Sequence, residues 1–362
     1  KTLSRGQENC YLLTNGLGGF SSLTTTGSVT RNDHALLMAC TKAPNHRYNL
    51  IHRMKEEIRI GEEKQILSAQ EFADGTKEEG YQHLSAFSFE DTPVWRWETK
   101  GVRIRKEIGM TQQENTVAVV YEMKNQSLFD AELVVTPFLQ FVRKGEDLVE
   151  EQVFERKGNT VSSDGLTLYF ETNGEILPEE QTETYYYSYD ACDGRRESGT
   201  AKAVLKIRMQ VPAGERRTLS IVCSMEQGRT DAQAVIAETK KYRKALEEKA
   251  GFADPMAKVL VKSAAQFVAD RESTGGKTIL AGFPFFEDWG RDTMIALPGV
   301  CISTGQYETA KEILRTFAAN ERDGLMPNLF PEGKNEPRYN TVDAALLFIN
   351  CVYLYYQASG DM

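Results

Sequence analysis

The sequence predicts a multidomain protein that is β first and α second, with an N-terminal antiparallel β-sandwich followed by a helical domain. Three observations carry this. Short alternating or β-branched runs, punctuated by turn residues, recur through roughly the first 225 residues. The apolar pattern then changes to helical spacing. A chain of 362 residues is also too long for one ordinary core. Strands grouped ahead of helices indicate separate domains, because α/β folds alternate the two.

The strand-like runs are Val102–Ile108, Thr116–Met123, Glu132–Phe141, Thr167–Thr172, Ala203–Gln210 and Arg217–Cys223. Between them lie turn signals at Lys124-Asn125-Gln126, Gly145, Lys157-Gly158-Asn159, Asn173-Gly174 and Pro212-Ala213-Gly214. Pro137 interrupts the third run, which predicts a break, a bulge or an edge there. Thr230-Asp231 suits a helix start, and Ala232 to Lys249 is rich in Ala, Glu and Lys. Its basic stretch Lys240-Lys241-Tyr242-Arg243-Lys244 reads as the solvated face of a connecting helix.

Further helices are expected over Asp254–Ala269, Thr293–Cys301, Gln306–Asn320 and Thr341–Tyr356. The first carries Met256, Val259, Leu260, Val261, Ala264 and Phe267 at helical spacing, and the third has Ile313, Leu314 and Phe317 on one face. Pro298 should kink or end the second helix early, and Gly360 suits a C-cap on the last. The predicted domains are 1–228 (sandwich), 229–252 (helical linker) and 253–362 (helical domain).

A net charge of −9 argues against a nucleic-acid partner, which requires a basic surface. Six cysteines without a CxxC pair read as scattered buried thiols of a reducing compartment, so the cytoplasm is expected. The four histidines all fall in the first quarter, which disfavours a zinc site, and no metal or cofactor is implied. No apolar run reaches the length of a membrane span. The chain begins at Lys1 without methionine, which is compatible with a leader removed before it. Oligomeric state is not readable.

Chemistry concentrates in Phe283-Pro284-Phe285-Phe286-Glu287-Asp288-Trp289-Gly290-Arg291-Asp292-Thr293, a loop running into a helix. A structural reading is available: acids at a helix start complement the macrodipole, and Arg291 pairs with Asp288 or Asp292. It leaves Trp289 and Gly290 unexplained. A sugar site accounts for both, since acids and Arg bind hydroxyls, an aromatic ring stacks on C–H faces, and glycine permits close backbone approach. Asp323-Gly324-Leu325-Met326-Pro327-Asn328 and Arg338-Tyr339-Asn340-Thr341-Val342-Asp343 repeat the arrangement between helices. Asn340 or Thr341 could cap the last helix, and Asp343 could be a first-turn acid or a pocket residue.

AGFPFFEDWGRDTMIALPGV, followed by RTFAANERDGLMPNLFPEG and RYNTVDAALLF, resembles the (α/α)6-barrel glucosidase domain of glycogen debranching enzymes. NGLGGFSSLTTTGSVTRNDHALLMA, from Asn15 to Ala39, independently resembles the start of the β-domain of the bacterial type. Asn32, Asp33 and Ala35 depart mildly from the family pattern, which carries an aromatic residue and a glycine there. The resemblance implies an N-terminal β-sandwich followed by the first helices of an (α/α)6 toroid, and a glycogen or branched α-glucan substrate. It implies inverting hydrolysis of α-1,6-linked glucose by two carboxyl groups about 6.5–9.5 Å apart.

By the same resemblance Arg291 and Asp292 hold hydroxyls of the −1 glucose, Trp289 lines the pocket, and Asp288 binds sugar or orients Arg291. Asn328, Tyr339, Asn340 and Asp343 fall around it. On chemistry alone Glu287 or Asp288 could be the acid, but the family pattern places the acid and base in later barrel loops. The barrel cannot close on the helices present, so a chain ending at Met362 is expected to be inactive alone. Two alternatives remain: a disaccharide phosphorylase of similar architecture, and a non-catalytic glycan-binding module. The stretch Asn15–Gly19 lacks phosphate-loop spacing and reads as a turn facing the barrel's active-site end.

Overall fold

The computed structural model describes residues 2–330 and 336–361. It divides into two compact units: residues 1–13, 20–39 and 48–240 form one, and residues 14–19, 40–47 and 241–362 the other. The second unit therefore takes in two short N-terminal segments as well as the helical part of the chain.

The first unit holds two large sheets. One runs in the order Leu13–Thr14, Phe20–Ser22, Ala35–Lys42, His46–Ile60, Ala131–Arg143, Ser198–Val211, Glu175–Tyr186, with Glu63–Ile66 added against His46–Ile60. The other runs Glu155–Lys157, Thr160–Ser163, Leu166–Thr172, Arg216–Ser224, Thr116–Asn125, Val102–Met110, Pro93–Thr99, Leu84–Phe89. Their central ladders are antiparallel. All six expected runs are strands, each within a few residues of its expected bounds. Pro137 lies in Ala131–Arg143, which is paired on both sides and is not an edge. The register slips beside it at Phe138/Leu139 and Leu139/Val142, so the expected disturbance takes the form of bulges.

Ala35–Lys42 and His46–Ile60 are strands outside the six expected runs, and the second carries buried charges. Arg53 is fully buried, with Nη2 2.7 Å from Glu78 Oε2 and 3.5 Å from Glu183 Oε2. The rings of Phe72, Phe138 and Tyr185 surround its guanidinium. Lys106 reaches across the sandwich to Glu56 at 2.5 Å, and Tyr121 donates to the same Glu56 oxygen at 2.9 Å. Charges can occupy a core only when paired and hydrogen-bonded in this way. Around these pairs pack apolar side chains, from Leu36, Leu50 and Ile58 on one sheet to Ile104, Val119 and Ile221 on the other.

Helix Ala232–Ala250 begins as expected, with Asp231 Oδ1 accepting from the Ala234 N–H at 3.0 Å. In its basic stretch Lys240, Lys241 and Lys244 are exposed, but Arg243 is buried, which corrects the expected solvated face at that residue. Helix Pro255–Ala265 is shorter than predicted. It is capped by Asp254, and the chain then turns into a hairpin, Val268–Arg271 with Gly276–Ile279, where helix was expected. Of its apolar set, Val261 is buried while Met256, Val259 and Leu260 face solvent.

Helix Gly290–Leu297 ends at Pro298, where a π-helical turn, Pro298–Ile302, takes over, as the proline predicted. Tyr307–Ala318 buries Ile313, Leu314 and Phe317, and Asp343–Ser359 ends at Gly360, whose φ of 71° suits glycine. These helices and the hairpin share a second core, with Ile279, Met294, Leu297 and Phe317 at its centre. Cys10 and Cys192 are exposed, so the expectation of buried thiols holds only for Cys40, Cys223, Cys301 and Cys351.

His34 and His52 are fully buried, and burial lowers each from 6.5 to about 3. His52 is held between Asn49 and the Tyr187 hydroxyl. Both are neutral in the folded protein, and the unfolded chain binds protons that the folded one refuses. Their stabilisation is complete above pH 6.5 and is lost as pH falls from there towards 3. Urea unfolding should show stability level above pH 7 and falling below 6.5, by at most about 1.4 kcal/mol per pH unit per histidine. Equal stability at pH 7 and pH 5 would refute this.

Candidate active site

The loop at Phe283–Trp289 is fixed by a carboxylate that never meets solvent. Asp288 is 1% exposed. Its Oδ1 accepts from Asn45 Nδ2 at 3.1 Å, and its Oδ2 accepts from the Thr278 hydroxyl at 3.0 Å. Arg271 forms an ion pair with Oδ2 and stacks its guanidinium over Phe330 at 4.4 Å. Burial pulls Arg271 down to about 10, opposed by Glu287, so the guanidinium remains charged at neutral pH. Arg47, 1% exposed, lies 5.3 Å over the Phe283 ring and donates from Nε to Pro44 O at 3.2 Å. The turn Asn15–Gly19 joins the same unit through Gly16 O, which accepts from the Asp270 N–H at 2.8 Å.

Downstream of Asp288 the backbone is stitched to two other loops. The Gly290 N–H donates to Asn328 O at 2.7 Å, the Asn328 N–H to Arg338 O at 2.8 Å, and the Arg338 N–H to Leu329 O at 2.8 Å. Gly290 is required by space: a Cβ there would lie 2.0 Å from Pro327 O. The close approach expected of this glycine is therefore to a protein backbone. Asn328 is buried, with Nδ2 donating to Asn340 Oδ1 at 2.9 Å. The Tyr339 hydroxyl donates to Asn320 O at 2.5 Å, and Arg322 lies over its ring.

The eight residues singled out from sequence thus divide by exposure. Trp289 and Tyr339 are half-buried; Arg291, Asp292, Asn340 and Asp343 are exposed; Asp288 and Asn328 are buried. Arg291 Nη1 stands 3.6 Å from Asp343 Oδ2, and both side chains are about half exposed. The Arg291 N–H contacts Asn328 Oδ1 at 3.4 Å, a long bond. Asp292 makes no ion pair or hydrogen bond among the described residues. Neither Asn340 nor Thr341 caps the last helix, whose N-cap is Val342 without a side-chain bond. Pro331 to Gly333, at the end of the second motif, lie outside the described residues.

Sequence reading missed Asn45, Arg47, Arg271 and Thr278. No local pattern marks them, since Asn45 and Asp288 stand 243 positions apart. Asn32 and Asp33, which depart from the resembled pattern, are both engaged. The Asn32 N–H donates to Asp190 at 2.7 Å, and Asp33 accepts from the Gly145 N–H at 2.9 Å.

The fold is a β-sandwich leading into the first helices of an (α/α)6 toroid, with an acid, arginine and tryptophan loop at a helix start. The family described as glycogen debranching enzyme N terminal matches residues 9–218, and amylo-alpha-1,6-glucosidase matches residues 262–362. The chain belongs to the glycogen debranching enzyme family. It is similar to the glycogen debranching enzyme of Saccharomyces cerevisiae, with 40% identity over 91 residues, 23% of this chain and 6% of the yeast protein. Its fold is similar to a bacterial glucoamylase solved with acarbose (TM-score 0.51, 12% identity, 95% of this chain and 54% of that one). It is also similar to a putative kojibiose phosphorylase from human microbiome (TM-score 0.52, 11% identity, 97% of this chain and 54% of that one). The chain thus spans about half the length of these solved structures and far less of the yeast enzyme.

Asp288→Ala would leave Arg271 buried without its carboxylate, costing about 3–5 kcal/mol of stability. Asp292→Ala, at an exposed and unpaired side chain, should change it by less than about 0.5 kcal/mol. Denaturant unfolding of the two variants reads the difference, and equal losses would refute the assignment of Asp288 to the scaffold.

Proposed function

We propose that the protein carrying this chain hydrolyses α-1,6-linked glucose at branch points of glycogen or a related α-glucan, with inversion, and that these residues hold the glucose unit. Family membership supports the glucan substrate. The single observation that carries the site is the division of labour around Gly290. Asp288 and Asn328 are consumed in fixing the loops, and that leaves Trp289, Arg291 and Asp292 on a rigid edge with polar groups not committed to the core. A half-buried indole beside an exposed guanidinium and an exposed carboxylate suits a sugar's apolar face and hydroxyls together.

In this reading Arg291 and Asp292 bind hydroxyls, Arg291 exchanging its loose contact with Asp343 for the sugar. Trp289 and Tyr339 line the pocket with Asn340. Asp288 acts through the loop it fixes and not by touching substrate. Catalysis requires in addition one acid to protonate the leaving oxygen and one base to activate water. Neither is assigned to a residue of this chain, and the protein is expected to act without cofactor in the cytoplasm.

The phosphorylase alternative makes a different product from a similar fold. Incubation of the enzyme carrying this chain with an α-1,6-branched limit dextrin should release free glucose at the same rate with or without inorganic phosphate. Product appearing only as glucose phosphate, and only with phosphate present, would reverse the choice. Arg291→Ala in that enzyme should lower kcat/KM at least about a hundredfold, a loss of roughly 2.7 kcal/mol, with unchanged thermal unfolding. Near-normal turnover would remove Arg291 from the pocket.

A further inference from the structure

Away from that loop, the outward face of the second sheet carries charges in an unusual order. Residues pointing to solvent from Pro93–Thr99, Val102–Met110, Thr116–Asn125 and the start of Arg216–Ser224 stand opposite one another in two rows. In one, Arg96 faces Arg105, which faces Glu122. In the other, Glu98 faces Arg103, Arg103 faces Lys124, and Lys124 faces Arg216. Like charges therefore meet directly across the ladder three times: Arg96 with Arg105, Arg103 with Lys124, and Lys124 with Arg216. Each such pair is destabilising.

Ordinary reasons for these cations do not apply. The first three strands are each paired on both sides, so no edge needs protection from pairing. The protein is acidic overall, with a charge of −9, so solubility does not call for a positive patch. Internal pairing is incomplete. Arg103 meets Glu98 at 3.2 Å and Arg105 meets Glu107 and Glu122 at 2.6 and 3.4 Å. Arg96 has only a 3.4 Å contact to the Ser88 hydroxyl. Lys124 and Arg216 have no ion pair among the described residues. These five cations and the carboxylates of Glu98 and Glu122 line one shallow groove. The neighbouring part of the same face is closed by helix Ala232–Ala250, which packs Val235 and Ile236 on Val120 and Val222.

We infer that this groove binds a polyphosphate chain, free or attached to a nucleoside. Adjacent strands lie about 4.8 Å apart, so Arg103, Lys124 and Arg216 form a row of cations at that interval. Phosphoryl groups two apart along the chain lie roughly one strand interval from each other, so each can accept from two neighbouring cations, and their charge relieves the repulsion that the bare ladder retains. A single orthophosphate satisfies only one such gap and binds more weakly. Bidentate guanidinium contacts from Arg103 and Arg216 supply geometry, and Lys124 supplies a central point charge.

Calorimetric titration of the protein with inorganic tripolyphosphate, ATP and orthophosphate at low salt tests this. Tripolyphosphate should bind more tightly than orthophosphate, and its affinity should fall as sodium chloride is raised. Equal affinity for ATP and tripolyphosphate identifies the chain alone as the ligand; tighter ATP binding adds a nucleoside contribution. The double variant K124E/R216E should lose at least tenfold in affinity while its thermal unfolding is unchanged. A variant with the same charge change elsewhere on the sheet edge, R156E/K157E, should keep its affinity. Absence of binding by both tripolyphosphate and ATP, or equal losses in the two double variants, would overturn the proposal.

Discussion

The buried carboxylate of Asp288 is the constraint on which the candidate site depends. A charge with 1% exposure is tolerable only if its oxygens are filled, and here Asn45, Thr278 and Arg271 fill them. Those three partners come from an N-terminal segment and from both strands of a hairpin. Satisfying one carboxylate therefore fixes the path of the loop that presents Trp289 and Arg291. Gly290 then allows the loop to lie against Pro327 and Asn328, where any side chain would collide. Rigidity at the site follows from desolvated polar pairing together with backbone proximity. Pre-organisation of this kind suits the sugar site proposed above, because donors and acceptors must stand in place before a ligand arrives.

The sandwich follows the same rule with different residues. Arg53 between Glu78 and Glu183, and Lys106 with Glu56 and Tyr121, put fixed charges inside a β-core. Such pairs add little net stability over apolar packing, but they penalise any register that separates them. A one-residue slip in a strand would turn each charge to the opposite face. The unpaired cations of the outer face stand in contrast, since there like charges remain opposed where water can reach them. In the helical unit, Met256, Val259 and Leu260 on one helix and Leu346, Ile349 and Tyr353 on another leave apolar side chains in solvent. Their spacing is that of core positions, yet no described element of this chain covers them.

Periodicity and turn chemistry made the six strands of the later sandwich legible, along with the helix that Asp231 caps, the break at Pro298 and the stop at Gly360. Each depends on residues near in sequence. His46–Ile60 does not read as a strand in sequence because Arg53 and Glu56 are buried charges, one on each face, and a charge looks the same in sequence whether or not a partner awaits it. The helix expected through Ala269 ends at Ala265 for a related reason. Its apolar spacing continues, but Val268–Arg271 pairs with Gly276–Ile279, and strand pairing overrides the helical pattern.

The chain order of sandwich then helices, the resemblance in its two motifs, and the concentration of acids, arginine and tryptophan beside Gly290 were determined by the sequence itself. These are properties of residue type and short spacing. Which acid touches solvent and which is locked away was decided only by the tertiary structure. Asp288 and Asp292 are chemically alike and four positions apart, yet one is enclosed by Asn45, Thr278 and Arg271 while the other stands exposed. The difference arises from partners brought in across as many as 243 positions, and burial of a charge is a property of the assembled surroundings.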